Sequence, residues 1–298
     1  MTSVDAVALP PELERHIFEL AAWGDMPMTL LLCRVARRVH IWIGPLRYRV
    51  IHLPGDIELD KLLRHLEEYP QAAQHVLHLA FQDQKGLPPG HVLSMFPNLV
   101  DLGMWCGSTT PADLPQVCML QNLTHLSVSL KALLAERDVS GDNPDMATGS
   151  HGSDSELSLA GLTRLTHLEL IGDVPHPLIP ILKTLPRLTH LSFFDIYFPD
   201  IILEALDVFR DTLRLLVVVH QDEEELYVPQ SPHNNAGATH PAEAQARSDD
   251  PRFVVLHLDC AGNFEEAWNK GAWDGQDYWR RAEETVASRV REQILRSS

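Results

Sequence analysis

Residues 164–172 read RLTHLELIG, and the same Leu-Thr-His-Leu returns as NLTHLSVSL at 122–130 and RLTHLSFFD at 187–195. Aligned on the first leucine, the three copies begin at Leu123, Leu165 and Leu188. The underlying pattern is an apolar residue, a leucine three positions later, and a third apolar residue two beyond that. It recurs as Val76-Leu79-Phe81, Leu99-Leu102-Met104, Leu213-Leu216-Val218 and Phe253-Leu256-Leu258. The seven starts are separated by 23, 24, 42, 23, 25 and 40 residues.

A period of roughly 20–29 residues carrying L-x-x-L-x-L is the mark of leucine-rich repeats. Each unit is one short strand plus a return segment, and neither buries its apolar face alone, so neighbours must stack. The expected fold class is therefore α/β: a leucine-rich-repeat solenoid with parallel strands. The text between strands fits return segments. PDIILEALDVFRD (199–211) spaces Ile201, Ile202, Leu203, Leu206 and Phe209 helically, with Asp200 near its start. HPLIPILKTLP and LPPGHVLSMFP are shorter returns fenced by proline. The two long steps carry polar, low-complexity text at 136–156 and 229–250, which cannot bury enough apolar surface to order itself. Both read as mobile loops inserted into a continuous solenoid. The Asp- and Asn-rich stretch 142–156 lacks the regular spacing of a calcium loop.

Side chains alternate across a strand. With Leu126 and Val128 inward, His125, Ser127 and Ser129 take the opposite face, as do His167, Glu169 and Ile171, then His190, Ser192 and Phe194. Asp101, Gly103 and Trp105 come one unit earlier, and His78, Ala80 and Gln82 before them. Positions 78, 101, 125, 167 and 190 then form one row, and four of its five residues are histidine. Such a row suits a metal or a partner, or is a polar residue inherited by each duplicated unit. The partner surface expected here comprises Asp101, Trp105, His125, His167, Glu169, His190 and Phe194, with Trp105, Ile171 and Phe194 as apolar anchors. No metal or other cofactor is expected. At Leu215, Val217 and Val219 the same face turns apolar and must be covered, by the second inserted loop or by the C-terminal segment. That segment, 263–298, ends in a helix with Trp279, Ala282, Val286, Val290 and Ile294 along one stripe, a candidate cap for the last unit. Trp268 and Trp273 read as packing residues within it.

The chain has 298 residues and a formal net charge of −17. So acidic a chain repels phosphate backbones, which argues against nucleic acid as a partner. Apolar runs such as LLLC and LLVVV fall far short of the roughly 20 residues that span a bilayer, so no membrane is expected either. The four cysteines show no CxxC spacing, and the first residues lack a basic start, so the expected compartment is reducing, cytoplasmic or nuclear.

Residues 1–52 lack the repeat period and read as a separate helical module. Leu13, Ile17 and Leu20 with Phe18 give one apolar face, and a second helical pattern runs through Leu31, Val35, Val39 and Trp42 until Pro45 breaks it. The stretch 9–53 resembles the F-box family. Leu9, Pro10, Glu12 and Leu13 match its opening, followed by Ile17 and Phe18, a leucine-rich helix at Leu30–Leu32, Val35–Arg38, and Pro45, Leu46, Tyr48 and Arg49 at its close. The stretch AAWGDMPMT departs from the family's acidic-apolar helix, and Ala36 stands where the family has cysteine. The resemblance implies a substrate receptor of a cullin-RING ubiquitin ligase. Leu9, Pro10, Leu13, Ile17, Phe18 and Val35 would dock a Skp-type adaptor, and the solenoid (53–262) would hold a protein substrate. The alternatives are a three-helix cap over the first repeat, and a leucine-rich-repeat scaffold with no ubiquitin-ligase role.

An enzyme is not expected. No GxGxxG, GxxxxGK, HExxH or GxSxG string occurs. His75 and His78 would fall on opposite faces of a strand, and Cys260 beside His257 and Asp259 reads as a buried structural thiol.

Overall fold

The computed structural model describes residues 9–84, 90–134, 159–172, 174, 178–194, 199–221, 250–258 and 264–297. The inserted stretches 136–156 and 229–250, Asp250 apart, and Cys260 lie outside them. Eight strands form one all-parallel sheet in chain order. They are β1 (Val50–Leu53), β2 (His78–Gln82), β3 (Asp101–Trp105), β4 (His125–Val128), β5 (His167–Ile171), β6 (His190–Phe194), β7 (Leu215–Gln221) and β8 (Phe253–Leu258). Three helices precede them: α1 (Pro11–Ala22), α2 (Met26–Leu32) and α3 (Arg37–Ile43). Crossovers carry α4 (Asp56–Glu68), α5 (Gly90–Leu93), α6 (Leu114–Cys118), α7 (Leu130–Leu134), α8 (Leu178–Leu182) and α9 (Pro199–Val208). Two helices close the fold, α10 (Phe264–Asp274) and α11 (Tyr278–Ser297). No helix among the described residues is long and apolar enough to cross a membrane.

The repeat's leucines build the core. Leu79, Leu102, Leu126, Leu168, Leu191 and Leu216 pair strand to strand in one ladder, all buried. Phe81, Met104, Val128, Leu170, Phe193 and Val218 form a second ladder two positions on. Both face the crossover helices. From α9, Ile202, Ala205 and Leu206 join them, with Phe209 just after its end, while Leu203 points to solvent. The positions 78, 101, 125, 167 and 190 do form one row across β2 to β6, on the other side of the sheet, here called the front face.

Three sequence readings need correction. β1 was not among the seven units, yet Ile51 and Leu53 pair with Leu79 and Phe81, so the sheet begins inside the stretch read as helical module. In β8 the frame is off by three residues: Leu216 pairs with Phe253, not Leu256. Phe253 and Val255 face the core, while Val254 and Leu256 face front. FVVLHL has no apolar alternation to choose between frames, and Arg252 makes the choice. Its guanidinium donates to the carbonyls of Leu206 (2.8 Å) and Arg210 (3.0 Å) at the C-terminal end of α9 and to that of Leu213 (3.2 Å). Asp250 holds it at 2.7 Å. This is the end of a helix that favours a cation.

The third correction is the second N-terminal helix, which is broken. Asp25 caps α2 by accepting from the Met28 backbone N–H at 2.8 Å. Ala36 is extended before α3 begins. The break sends Leu31 and Val35 outward and Val39 inward, where Ala22, Val39 and Ile43 form the module's small core.

Candidate functional site

The front face is where the histidine row, its acidic neighbours and the aromatic anchors meet. Threonine explains the repeated Leu-Thr-His-Leu. Thr124 and Thr166 each donate their hydroxyl proton to a carbonyl of the preceding unit, Val100 O at 3.0 Å and Thr124 O at 3.1 Å. With that proton committed, each hydroxyl oxygen accepts from the neighbouring ring, His125 Nδ1 at 2.9 Å and His167 Nδ1 at 2.8 Å. The proton of each neutral imidazole is thereby placed on Nδ1 and the lone pair on Nε2. Thr189 Oγ and His190 Nδ1 are likewise 2.8 Å apart, but here the Glu283 carboxylate faces Nε2, so the proton of the neutral His190 ring lies on Nε2 and Nδ1 accepts from the threonine hydroxyl.

The three rings stack face to face, His125 on His167 and His167 on His190, with centroids 4.0 Å apart in both pairs. Imidazole lone pairs lie in the ring plane, so parallel rings do not converge on one ion. Among the described residues, no group of three or more His, Cys, Asp or Glu could hold a metal ion. Burial and the flanking rings push His167 down to about 2. His125 is lowered by burial, with Asp101 and Asp277 opposing. Burial also lowers His190, opposed by Glu283, whose Oε1 lies 3.1 Å from Nε2. The stack therefore stays neutral because a charge there would be poorly solvated.

A buried polar chain crosses the same face. The Trp105 indole N–H donates to Ser127 Oγ at 2.8 Å, Ser127 donates to Glu169, and the Tyr278 hydroxyl donates to the other Glu169 oxygen at 2.7 Å. Burial lifts the Glu169 carboxyl to about 7 against these two hydrogen bonds. Gly103 lets the chain form: a Cβ there would lie 2.8 Å from the Trp105 ring. The indole can fold back across the sheet only over a residue without a side chain.

The expectation of an open partner surface is corrected here, because α10 and α11 lie over it. Trp105 packs edge-on against Phe264 and Trp268, with centroids 4.7 and 5.5 Å away, and Phe194 packs against Phe264 at 4.5 Å. Two of the three anchors, Trp105 and Phe194, are already packed against the chain's own aromatics. Trp279 sits edge-on to His167 at 5.2 Å. Glu169 and His190 are buried, and Asp101, Trp105, His125, His167, Ile171 and Phe194 are half-buried. Leu215, Val217 and Val219 are covered by Tyr278, Trp279 and Ala282, so the C-terminal segment supplies the cover that the apolar strand requires. It lies across the face, and α10 reaches back to β1, where His52 Nδ1 is 3.8 Å from Glu265. The Trp23 indole N–H donates to Trp273 O at 2.8 Å, tying the N-terminal helices to α10.

The residues expected to dock an adaptor have a different fate. Leu9, Pro10, Leu13, Ile17 and Val35 are exposed, together with Leu20, Leu30, Leu31 and Ile41. Phe18 is half-buried against the module's core. Sequence reasoning missed Thr124, Thr166, Tyr278 and Asp277 as front-face residues. Thr-His written three times was the available signal for the first two; nothing local marks the others.

The chain matches no family model, and no curated protein is significantly similar to it.

Proposed function

We propose that this chain is a non-catalytic protein-interaction receptor, a leucine-rich-repeat solenoid preceded by an F-box-like module. In this reading the module docks a Skp-type adaptor, and the protein presents a substrate to a cullin-RING ubiquitin ligase. The observation that carries it is the apolar face at Leu9, Leu13, Ile17 and Val35, which stays exposed although the module's apolar core among the described residues is small, with Ala22, Val39 and Ile43 buried in it. Exposed apolar side chains of this kind are a candidate interaction site. The proposed receptor accelerates modification by raising substrate concentration near the enzyme, without chemistry of its own. The ladder of leucines at a step near two dozen residues supports the solenoid. With the front face occupied by α10 and α11, the surface proposed for a substrate includes the exposed Ile294 and Leu295 of α11.

The test is co-purification of full-length protein with a Skp-type adaptor. Leu13→Asp with Ile17→Asp should abolish capture while leaving the unfolding free energy within about 1 kcal/mol of the parent, since both side chains are largely exposed. Absence of adaptor from the parent protein overturns the ligase reading. A scaffold without a ubiquitin role is the second reading, and the Trp23–Trp273 bond favours it by packing the module on the body of the fold.

A further inference from the structure

Between the front face and the two closing helices lies a cavity of about 230 Å³. For scale, an apolar cavity of about 150 Å³ accepts benzene. Its sheet side presents His78, Asp101, His125 and His167, and its helix side Trp268 and Asp277, with Phe264, Tyr278 and Trp279 as further aromatic wall.

The hydrogen-bonding inventory of this lining is lopsided. His125 and His167 have given their Nδ1 protons to threonine, which leaves each Nε2 an acceptor. Asp101 takes one bond from His78 Nδ1 at 3.1 Å and keeps acceptor capacity, and Asp277 accepts from the Arg280 backbone N–H at 3.0 Å. Ser127 and Tyr278 have both spent their hydroxyl protons on Glu169. The one buried donor left over is the Trp268 indole N–H, which has no acceptor among the described residues. No lysine or arginine is among the described residues that line the space. Acceptors, carboxylates and aromatic faces together repel anions and attract cations.

We propose that this cavity binds a small organic ammonium ion that carries a hydroxyl group. Asp101 and Asp277 would receive the ammonium protons, the aromatic wall would pack its apolar body, and Trp268 would donate to the hydroxyl oxygen. The size admits one aromatic ring with a short aminoalkyl arm. Burial pushes the Asp277 carboxyl up, and a bound ammonium relieves that cost by neutralising it. The site is on the front face, apart from the α1 surface, and does not draw on the adaptor reading.

The experiment is calorimetric titration of full-length protein with tyramine, set against 4-hydroxyphenylacetate, which has the same ring and a carboxylate in place of the aminomethyl group. Saturable tyramine binding is expected, without binding of the acid. Asp101→Asn and Asp277→Asn should each weaken it by about tenfold or more. Gly271→Ala is a further variant that changes no charge. Its methyl would lie 2.7 Å from Asp277 Cβ, displacing that wall, and should also weaken binding. Circular dichroism of each variant establishes folding. No tyramine binding by the parent, equal binding of the acid, or affinity unchanged in the folded variants overturns the proposal.

Discussion

A threonine and a histidine written side by side become a single device when the next unit stacks against them. Thr166 holds the carbonyl of Thr124, and its oxygen then dictates which nitrogen of His167 keeps the proton. On the same strand, Glu169 and His167 pull stability in opposite directions with pH. Glu169 is raised from 4.5 to about 7, so between those values the folded chain retains a proton that the unfolded chain has lost. Stability contributed by this group therefore falls as pH rises through that window. His167, lowered from 6.5 to about 2, makes stability rise with pH until 6.5 and then has no further effect. Glu169→Gln should accordingly abolish a loss of stability that the parent shows between about pH 6.5 and about pH 7 in denaturant titrations. A second residue-scale prediction concerns Gly103. Gly103→Ala drives a methyl into the Trp105 ring and should cost about 1–3 kcal/mol, with a shift in tryptophan emission as the indole leaves Ser127.

Among the elements, α11 closes the front face over the histidine stack and over β7 and β8. Trp279 is buried over the histidine stack, and Trp279→Ala should cost about 3–5 kcal/mol in chemical denaturation. Arg252 has the corresponding role on the core side, between α9 and β8. Arg252→Lys keeps the charge but loses the planar fork that reaches the carbonyls of Leu206, Arg210 and Leu213 together. It should lower stability by about 1–3 kcal/mol, and Arg252→Ala by at least as much. The elements also divide by how legible they were. Strands β2 to β7 could be placed from the leucine positions, because inward and outward residues alternate and only one register buries them all. β8 could not, since FVVLHL is apolar on both faces, and its frame depends on one arginine bonding carbonyls about forty residues away. The break between α2 and α3 was hidden for a related reason: Leu31 and Val35 look like the inner face of a helix and are instead part of an outer one.

At the scale of the molecule, the row of outward positions was readable but its environment was not. Alternation identifies which side chains share the front face; only long-range packing decides whether that face meets water. Trp105, Phe194 and the histidines face α10 and α11, sequence-distant helices whose aromatics Phe264, Trp268 and Trp279 show helical spacing and nothing about their destination. The closing helices reach β1 and the N-terminal module at one end, through Glu265 and Trp273, and β7 and β8 at the other. They touch both extremes of the sheet, and they are the last described part of the chain to be made. A nascent polypeptide that has emerged only as far as β8 therefore carries a finished core and a bare greasy front, with Leu215, Val217 and Val219 uncovered. Such an intermediate invites association with its own kind until translation delivers the final helices.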